Sequence, residues 1–396
     1  MSAPLMNTYA RLPVSFVKGE SATLWDSEGK SYLDALAGIA VCGLGHAHPA
    51  VTETICTQAA KLTHTSNLFR IPAQEQLGAL LIEQSGMDNV FFSNSGAEAN
   101  EAAIKLARLH GHKQSIENPA IIVMENSFHG RTMATLTATG NRKVHAGFEP
   151  LVQGFVRVPY DDIESIKNLS KNSNIAAVLV EPVQGEGGVN VPDESYLKGI
   201  REICDDNNWL MMLDEIQTGI GRTGKMFAFQ HTDIKPDVMT LAKGLGNGFP
   251  IGACLARGVA AELFQPGNHG TTYGGNPLGC SVGHTVLTTI LENNLIQRTE
   301  ELGLKMITEF ELALGDQAFV KDIRGLGLMI GIEIDRPCGD LVKMALDAGL
   351  IINVTADSVI RLLPPLVISD AEAERIVQKV TQLVFDFIET SVSDGE

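Results

Sequence analysis

The sequence lacks any close pair of cysteines. Its six cysteines are scattered over 396 residues, and no two stand in a C-x-x-C arrangement. A disulfide framework and a thiolate zinc site both need cysteines at short, regular spacings. The pattern therefore argues against these two classes and favours a reducing compartment.

The sequence also has little positive charge and no long apolar run. Its formal net charge is −17, whereas proteins that bind nucleic acid or anionic membranes concentrate lysine and arginine. The segment MSAPLMNTYA has neither the basic nor the apolar stretch of a signal peptide, and no run approaches the ~18 apolar residues of a membrane span. We therefore expect a cytoplasmic protein that acts on small molecules, without nucleic-acid or membrane partners.

Several familiar motifs are missing or misplaced. No G-x-S-x-G sequence is present to anchor a hydrolase triad. The segment 219–224 matches G-x-G-x-x-G, but the residues after it have no helical period, and Met226 stands where a P-loop needs serine or threonine. The sequence has two close histidine pairs, His46 with His48 and His110 with His112. Neither pair has an acidic or thiol residue at the spacing of a metal ligand, so we expect turn and surface positions rather than a metal site.

From about residue 70 the sequence alternates between amphipathic helices and apolar strands. Helices are predicted at 97–111 and after residue 195, and the predicted strands are 120–126, 175–182, 210–215 and 237–244. Continuous apolar strands separated by helices indicate βαβ units. We therefore predict an α/β fold whose large domain contains a mainly parallel central sheet.

The two ends of the chain have different patterns. Short strands and turns precede residue 50, and one long helix is predicted over 287–314. A strand at 322–334 and shorter elements follow, and the closing helix begins with the capping box Ser369–Glu372. We expect three parts: a strand segment at 1–50 that packs on the small domain, a large domain at 51–285, and a small α+β domain at 286–396.

Polar residues at the carboxyl ends of the strands are the first candidates for chemistry, because ligands of open α/β sheets bind there. They are Glu181, Gln184 and Glu186 after one strand, Asp214 and Gln217 after the next, and Lys243 after the third. The buried carboxylate of Asp214 would need a fixed partner, and a pyridinium nitrogen, a metal ion or an arginine would serve. Burial of Lys243 would lower the pKa of its amine and suit it to Schiff-base chemistry.

A phosphate site is predicted at the start of the helix at 97–111. Ser95, Gly96 and Glu98 form a capping-box pattern there. The first N–H groups of a helix carry the positive end of its dipole, and a glycine lets a ligand approach closely. The same pattern also occurs at ordinary helix starts.

Taken in order, these segments resemble the class-III aminotransferases of fold type I, which use pyridoxal 5′-phosphate. The resemblance extends from about Trp25 to the closing helix. The segments that carry it are Ser95-Gly96, Phe128-His129-Gly130-Arg131, Glu186 within EPVQGEGG, Asp214 to Gly219, Lys243, and Thr271 to Asn276. The number of residues between Asp214 and Lys243 also agrees with the spacing found in that family. The order of several independent motifs makes this resemblance specific.

The resemblance implies roles for these residues. Lys243 would bind the cofactor as a Schiff base and then move a proton between the substrate and the cofactor, and Asp214 would keep the pyridine nitrogen protonated. Thr272 would reach the cofactor phosphate from the neighbouring subunit of a homodimer with shared sites. The full set of implied cofactor-binding residues is Ser95, Gly96, Phe128, Asp214, Gln217, Lys243 and Thr272.

Further segments resemble the acetylornithine subgroup of that family, among them GIAVCGLGHAHP and FHGRTMATLTATGNRKVHAGFEPL. This implies transfer of the δ-amino group of N2-acetyl-L-ornithine to 2-oxoglutarate. Arg131 would hold the carboxylate of the amine donor, with Thr271 nearby. Arg361 would bind the α-carboxylate of 2-oxoglutarate or glutamate, and Glu186 would neutralise Arg361 when no such carboxylate is present.

Several alternatives remain open at this point. The amine donor could instead be ornithine, succinylornithine or 4-aminobutyrate, although segment 11–20 lacks the tyrosine that ornithine aminotransferases place near the substrate. N-succinyl-LL-diaminopimelate is a second substrate to consider. An aminomutase using the same cofactor, a nucleotide-binding ATPase, and an inactive fold that serves as an interaction protein are the remaining rivals.

Overall fold

The computed structural model describes residues 4–393. Residues 1–3 and 394–396, the ends of the predicted segments 1–50 and 286–396, lie outside the described residues. In chain order the strands are β1 (Phe16–Glu20), β2 (Thr23–Asp26), β3 (Ser31–Asp34), β4 (Asn89–Ser93), β5 (Ala120–Met124), β6 (Phe155–Val158), β7 (Ile175–Val180), β8 (Leu210–Asp214), β9 (Val238–Leu241), β10 (Gly252–Ala256), β11 (Val320–Leu326), β12 (Met329–Ile334), β13 (Leu350–Ile351), β14 (Asn353–Thr355) and β15 (Val359–Leu362).

The helices lie between and beside these strands. They are α1 (Ala37–Ala40), α2 (Pro49–Ala59), α3 (Pro72–Ser85), α4 (Gly96–Lys113), α5 (Met133–Ala138), α6 (Ile163–Asn168), α7 (Tyr196–Asn207), α8 (Pro277–Glu292), α9 (Leu295–Leu314), α10 (Leu341–Asp347) and α11 (Asp370–Ser393). None of the helices within 4–393 is long and apolar enough to cross a membrane.

The central sheet has seven strands in the order β4-β10-β9-β8-β7-β5-β6. Only β10 is antiparallel to its neighbours, and the other pairs are parallel. Strands β5, β7, β8 and β9 are buried along their whole length, as expected when helices cover both faces of a parallel sheet. The predicted α/β fold with a mainly parallel central sheet is confirmed.

Two four-stranded sheets contain the rest of the strands. Their orders are β1-β2-β3-β13 and β11-β12-β15-β14. Strand β13, from the C-terminal third, pairs parallel with β3 near the N-terminus, so the N-terminal strands share a sheet with the end of the chain. The domain division at 1–50, 51–285 and 286–396 stays a prediction.

Two predicted elements are wrong. The single helix at 287–314 is two helices, α8 and α9, because Asn294 adopts a left-handed conformation with φ 53° between them; asparagine tolerates that conformation better than most residues. The single strand at 322–334 is the hairpin β11–β12. It turns at Gly327 (φ 54°), where a Cβ atom would lie 2.5 Å from the carbonyl carbon of Thr223.

The register of the central sheet places the strand-end residues together. Asp214 pairs with Thr240 of the neighbouring strand β9, and Lys243 follows that strand by two residues at the start of a 3-10 turn (Lys243–Gly246). Helix α4 packs its alanine-rich face on the same sheet. Short alanine side chains allow a close approach, and the N-terminus of α4 lies at the carboxyl edge of the strands, where the predicted site is located.

Candidate active site

A cavity of about 410 Å³ lies at the carboxyl edge of the central sheet. Eight of the residues predicted from the sequence line it: Ser95, Gly96, Phe128, Arg131, Glu181, Asp214, Gln217 and Lys243. They come from five separate stretches of the chain. The parallel strands bring these stretches to one edge because each strand ends there.

Asp214 is buried at the base of the cavity and is held by three donors. Its Oδ2 atom accepts hydrogen bonds from Asn100 Nδ2 and His129 Nδ1, both at 2.8 Å, and its Oδ1 atom accepts one from the backbone N–H of Ile216 at 3.1 Å. Asn100 is itself fixed by the Thr240 hydroxyl, which donates to its Oδ1 at 2.8 Å. The carboxylate therefore has a fixed direction as well as a fixed position.

His129 supplies a positive charge behind this carboxylate. Burial opposes the charged imidazolium, but the hydrogen bond with Asp214 and its negative charge prevail and raise the pKa of His129. The Nε2 atom of this fully buried ring has no hydrogen-bond partner among the described residues. His129 and Asp214 thus form an enclosed ion pair that borders the cavity.

Glu181 is a second buried carboxyl group on the cavity wall. Burial raises its pKa to about 7, although the nearby His129 charge opposes this. Its Oε2 atom accepts a hydrogen bond from the backbone N–H of Phe128 at 3.1 Å. The raised pKa favours the neutral form of this group, so it adds less negative charge beside Asp214 than a surface carboxylate would.

Lys243 points a nucleophilic amine into the same cavity. The residue keeps some exposure as a whole, but burial of its amine lowers the pKa, and Glu186 only partly counters that effect. A lower pKa leaves more of the lysine in the neutral form that attacks carbonyl groups. The backbone of Lys243 is in the left-handed region with φ 39°, a conformation that non-glycine residues adopt at a cost and that clusters at functional sites.

Arg361 approaches the cavity from the strand pair β14–β15. It is fully buried, its Nε and Nη2 atoms donate to Asn353 Oδ1 at 3.1 and 2.7 Å, and Nη1 donates to Glu186 Oε1 at 2.6 Å and to Gln217 Oε1 at 3.3 Å. Asn353 stands directly opposite Arg361 in the β-ladder. Asn353, in the same sheet, therefore holds one side of the guanidinium, and the other side faces Glu186.

Burial disfavours ionised Glu186, but the charge and the hydrogen bonds of Arg361 prevail and lower the pKa of Glu186. The side chain of Glu186 is 34% exposed, against 1% for Arg361. Glu186 is therefore the member of the pair that can turn away into solvent.

The start of α4 forms another wall of the cavity. The Ser95 hydroxyl accepts a hydrogen bond from the backbone N–H of Glu98 at 3.2 Å and so caps the helix. The first N–H groups of the helix, at Gly96 and Ala97, have no partner within the helix. Gly96 packs against Ile216, which lies 2.7 Å from the position of a Cβ atom there, so a larger residue would displace Ile216 on the cavity wall.

A second depression of about 780 Å³ adjoins this cavity. Phe128 and Arg131 line both spaces, and Glu186 lines the second. The guanidinium carbon of Arg131 lies 5.7 Å from the centre of the Phe128 ring, a cation–π distance. The two adjoining spaces form a path from solvent, past the guanidinium of Arg131, to the amine of Lys243.

Four predicted site residues do not line this cavity: Glu186, Thr271, Thr272 and Arg361. Glu186 lines the adjoining depression, and Arg361 contacts Gln217 on the cavity wall. Thr272 is exposed and does not line the cavity, while Thr271 lines a separate depression. Thr271 is still near the site, because Asn94 Nδ2, on the cavity wall, donates to its hydroxyl at 3.3 Å. Their roles toward a neighbouring subunit stay predictions.

Sequence reasoning missed three residues of the site. Asn100, His129 and Asn353 hold Asp214 and Arg361, but none of them directly follows a strand of the central sheet. His129 lies within a segment that the resemblance includes, so its position was visible and its role was not. Asn100 and Asn353 gave no signal, because polar residues in a helix or a short strand usually face solvent.

In the two histidine pairs, His46 and His48 are half-buried, His110 is buried and His112 is exposed. His110 is buried, and its Nε2 atom donates to the backbone oxygen of Asn208 at 2.8 Å, so its predicted surface position is wrong. Among residues 4–393, no group of three or more histidine, cysteine, aspartate or glutamate side chains is placed to hold a metal ion.

The sequence matches the family described as aminotransferase class-III over residues 6–384. An acetylornithine aminotransferase of Nitrosomonas europaea is 58% identical to this chain, over 98% of the chain and 99% of the relative. Acetylornithine aminotransferase 1 of Bordetella bronchiseptica is 51% identical over the same shares of both chains.

Solved structures of related proteins have the same fold. An ornithine aminotransferase from Toxoplasma gondii, whose active site is described as partially occupied by PLP, matches with a TM-score of 0.94 and 35% identity, covering 98% of this chain and 93% of the other. An acetylornithine aminotransferase from Elizabethkingia anophelis matches with a TM-score of 0.86 and 36% identity, covering 96% of each chain.

The ion pair between His129 and Asp214 predicts a pH-dependent stability. Because the folded-state pKa of His129 is raised, its contribution should be complete below the ordinary value of about 6.5 and decline as pH rises through the folded-state value. The His129→Gln variant should lose about 1.5–3 kcal/mol at pH 6, the range for a charge-assisted hydrogen bond, and less at pH 9. Urea unfolding of protein stripped of bound small molecules, from pH 5.5 to 9, measures this.

The surface variant His112→Gln is the control for removal of a histidine. A stability loss in His129→Gln that stays constant over this pH range would contradict the charged pair.

Proposed function

The chain belongs to the class-III aminotransferases, and from this premise we propose that it transfers the δ-amino group of N2-acetyl-L-ornithine to 2-oxoglutarate. The products are N-acetyl-L-glutamate 5-semialdehyde and L-glutamate, a step of arginine biosynthesis. The observation that carries the proposal is that Lys243 and Asp214 line one cavity, and that Arg361 contacts Gln217 on its wall. Relatives that are 51% and 58% identical over nearly the whole chain, and named for this substrate, support the choice of amine.

The cofactor is pyridoxal 5′-phosphate, and the cavity has the groups that such a molecule needs. An amine of lowered pKa lies on one side of it, a rigidly held carboxylate lies at its base, and a helix N-terminus forms another wall. The aldehyde, the pyridinium nitrogen and the phosphate of the cofactor each require one of these groups. A volume of about 410 Å³ suits a bound molecule of this size.

We assign the cofactor contacts as follows. Lys243 holds the aldehyde carbon, Asp214 the ring nitrogen, and Gln217 the phenolic oxygen, while Phe128 covers one face of the ring. Ser95, Gly96 and, from a second subunit, Thr272 hold the phosphate. Gln217 has little freedom to move, because Gly185 lies so close that a Cβ atom there would be 2.2 Å from Gln217 Oε1.

When bound, the cofactor would withdraw electrons from the amine-bearing carbon of the substrate and so make the C–H bond of that same carbon acidic. Asp214 sustains this withdrawal, since a carboxylate held by three donors and backed by the His129 charge favours a proton on the ring nitrogen that it contacts. The Lys243 amine would be the base that takes the proton from the amine-bearing carbon of the substrate, and then the acid that gives this proton back. Burial lowers the pKa of Lys243, which favours the neutral amine that can accept this proton.

The two substrates of the reaction present different charges to Arg361. Glutamate and 2-oxoglutarate have an α-carboxylate beside the reacting carbon, and the guanidinium can bind it through two parallel hydrogen bonds. The δ-carbon of N2-acetyl-L-ornithine has no carboxylate beside it. We propose that Glu186 pairs with Arg361 while the amine donor is bound and turns into solvent when an α-carboxylate enters, since an unpaired buried cation is strongly unfavourable.

Arg131 would hold the distant carboxylate of the amine donor. It lies between the inner cavity and the outer depression, where the far end of an extended ω-amino acid would reach while its amine meets Lys243. Its contact with the Phe128 ring keeps the guanidinium over the path to the cofactor. Thr271 of a neighbouring subunit would complete this end of the site.

A homodimer with shared active sites is part of the proposal. Segment 62–69 is fixed against the loop 271–275, since Asn67 Nδ2 donates to the backbone oxygens of Thr271 and Gly274 at 3.2 and 3.0 Å. These two segments expose large apolar side chains: Leu62 at 45%, Leu68 at 87%, Phe69 at 68% and Tyr273 at 63%. A monomer rarely exposes such a group of side chains without a partner, and Thr272 lies among them, outside the cavity of its own chain.

The first experiment compares amine donors with the cofactor-loaded protein. We expect the highest kcat/KM with N-acetyl-L-ornithine, and lower values with ornithine, N-succinyl-L-ornithine and 4-aminobutyrate, with 2-oxoglutarate as acceptor. The Lys243→Ala variant should lose at least about 100-fold in kcat, the lower bound for loss of a positioned acid–base group. Borohydride treatment of the wild type should fix the cofactor on the peptide that contains Lys243.

The Lys225→Ala variant, in which a surface lysine paired with Glu300 is removed, should behave as the wild type. Equal turnover of ornithine and its acetylated form would refute the substrate assignment, and cofactor trapped on a different lysine would refute the site.

The second experiment tests Glu186 by separating the half-reactions. The Glu186→Gln variant should slow amine transfer from N-acetyl-L-ornithine by roughly 10- to 100-fold, corresponding to about 1.5–3 kcal/mol for a lost charge-assisted hydrogen bond. Its half-reaction with 2-oxoglutarate should change far less. Stopped-flow absorbance of the cofactor in single turnovers measures both steps.

Glu333→Gln is the matched control, because Glu333 also pairs with an arginine, Arg324, at 2.7 Å and is 28% exposed, but lies outside the cavity. If Glu186→Gln slows both half-reactions equally, the pairing is structural and the proposed switch is wrong.

The third experiment tests the dimer. In sedimentation velocity the wild type should have twice the chain mass of 42.5 kDa. Leu68→Asp should shift it toward the monomer and weaken cofactor binding, because a charged group would be buried in the interface. Leu312→Asp alters a side chain of similar exposure, 83%, on helix α9 and should remain dimeric. Dissociation in both variants, or in neither, would exclude this surface as the interface.

A further inference from the structure

The short element α1 is a left-handed turn. Its four residues, Ala37, Gly38, Ile39 and Ala40, have φ values from 50° to 66°. Residues other than glycine adopt this region at a cost, because their Cβ atom comes too close to the following carbonyl oxygen. Of the four, Gly38 alone lacks a Cβ atom. A strained run of this kind persists where the surrounding structure holds it, and such strain is concentrated at functional sites.

Asp34, the last residue of β3, holds the start of this turn. Its Oδ1 atom accepts the backbone N–H groups of Leu36 and Ala37, both at 2.9 Å, and its Oδ2 atom lies 2.7 Å from Nε2 of His46. The Asp34 side chain is 2% exposed. The hydrogen bond with Asp34 is the largest of the effects that raise the pKa of His46 to about 9, so the charged ring balances the buried carboxylate at neutral pH.

One side of the turn lies against the segment that contains the nucleophilic amine. The backbone oxygen of Ala40 is 3.8 Å from the position that a Cβ atom of Gly244 would take, and Gly244 directly follows Lys243. Val41, the residue after the turn, lines the cavity together with Lys243. The end of the turn is therefore part of the support of the cofactor site.

The other side of the turn lies against the strand that contains the buried guanidinium. Ala40 packs in a small apolar cluster with Leu363, which follows Arg361 by two residues. Just before the turn, the backbone oxygen of Ala35 accepts the N–H of Leu363 at 2.7 Å. The turn thus lies between the Lys243 segment and the end of β15, and its shape affects the distance between them.

The two amine substrates of the proposed reaction make different demands on that distance. Glutamate has its carboxylate and its amine on the same carbon, so Arg361 and the cofactor on Lys243 must stand at one fixed separation to hold both. N-acetyl-L-ornithine would place its carboxylate on Arg131 and would not use Arg361. A change in the shape of α1 should therefore impair the reaction of glutamate more than that of N-acetyl-L-ornithine.

We propose that Asp34, paired with His46, is a positioning residue that keeps α1 left-handed and so sets the distance between Lys243 and Arg361. This inference rests on the proposed function, which assigns the cofactor to Lys243 and the α-carboxylate to Arg361. Without the carboxylate, two backbone N–H groups of the turn lose their acceptor. The residues with a Cβ atom then relax toward the right-handed or extended regions, and β15 shifts relative to the cofactor.

The turn itself is measured by hydrogen exchange and mass spectrometry on the cofactor-loaded protein. In Asp34→Ala, peptides that cover residues 36–42 should lose protection relative to the wild type, because the amides that Asp34 and the turn hold would open locally. Unchanged protection of these peptides in Asp34→Ala would overturn the proposed role.

Asp26→Ala is the matched control. The Oδ1 atom of Asp26 also accepts two backbone N–H groups, those of Glu28 and Lys30 at 2.9 Å, and its Oδ2 atom accepts the Tyr32 hydroxyl at 2.8 Å. Asp26 belongs to β2 of the same sheet and does not line the cavity. This variant should leave protection of residues 36–42 as in the wild type, and equal loss in both variants would show a general loosening of the sheet and overturn the proposal.

The effect on the site is measured in single turnovers, with glutamate and N-acetyl-L-ornithine each mixed with the cofactor-loaded protein. Asp34→Ala should slow the reaction of glutamate at least about tenfold more than that of N-acetyl-L-ornithine, since the cost of a left-handed residue is of the size that changes a rate tenfold. The glutamate concentration that gives half the maximal rate should also rise. Asp26→Ala should slow neither reaction.

A second substitution tests whether backbone strain is the reason. Ala37→Gly, added to Asp34→Ala, should restore part of the rate with glutamate, because glycine adopts the left-handed region without this cost. No restoration would overturn the role of strain, and equal slowing of both amines by Asp34→Ala would overturn the positioning role. If Asp34→Ala does not fold, Asp34→Asn replaces it: the amide keeps an oxygen for the backbone N–H groups but removes the charge that pairs with His46, and the same preference is expected at a smaller size.

Failure of the proposed function would look different. A wild-type protein that reacts with glutamate but not with N-acetyl-L-ornithine would refute the proposed amine donor. The exchange measurement and the rate with glutamate would still decide whether Asp34 holds the turn, because neither depends on the identity of the other amine.

Discussion

The site depends on one buried carboxylate whose direction is fixed. Asp214 ends the central strand β8, and three donors from a helix, a loop and its own backbone hold its two oxygens. A buried carboxylate without such partners would take up a proton or turn toward water. The donors therefore maintain a negative charge at the base of a cavity, and the other groups of the site are arranged around the molecule that this charge would hold. Asn100 and His129 matter as much to this arrangement as the residues that line the cavity.

A second buried charge near the cavity, this one positive, is also held by side-chain partners. Arg361 is a buried cation that Asn353 orients from its own sheet and that Glu186 neutralises from the side of the cavity. One partner is rigid and the other is partly exposed. In the proposed reaction, this rigid support and movable counter-charge would let one arginine meet a substrate that has an α-carboxylate and one that lacks it. A single site would then serve both halves of a ping-pong reaction.

The supporting loops around the cavity are closely interlocked. Gly185 leaves room for Gln217, Gly248 lies against the sulfur of Cys42, and Asn247 fastens the N-terminal loop to the Lys243 segment. Each contact requires a small side chain or a left-handed backbone at a particular position. A change at one loop is therefore transmitted to its neighbours, because a close-packed interior has no spare volume to absorb it.

The sequence by itself determined the fold class and several residues of the cavity. Apolar strands separated by helices specify a parallel sheet, and polar residues at the ends of such strands must meet at one edge, so Asp214, Gln217 and Lys243 could be chosen from their order alone. Tertiary structure decided what no local pattern encodes: the break at Asn294, the turn at Gly327, the burial of His110, and the long-range partners Asn100, His129 and Asn353. These features depend on which distant segment of the chain packs against a given residue. Such contacts between distant segments form only when the whole chain packs, whereas the periodicity of a strand or a helix depends on residues that are close together in the sequence.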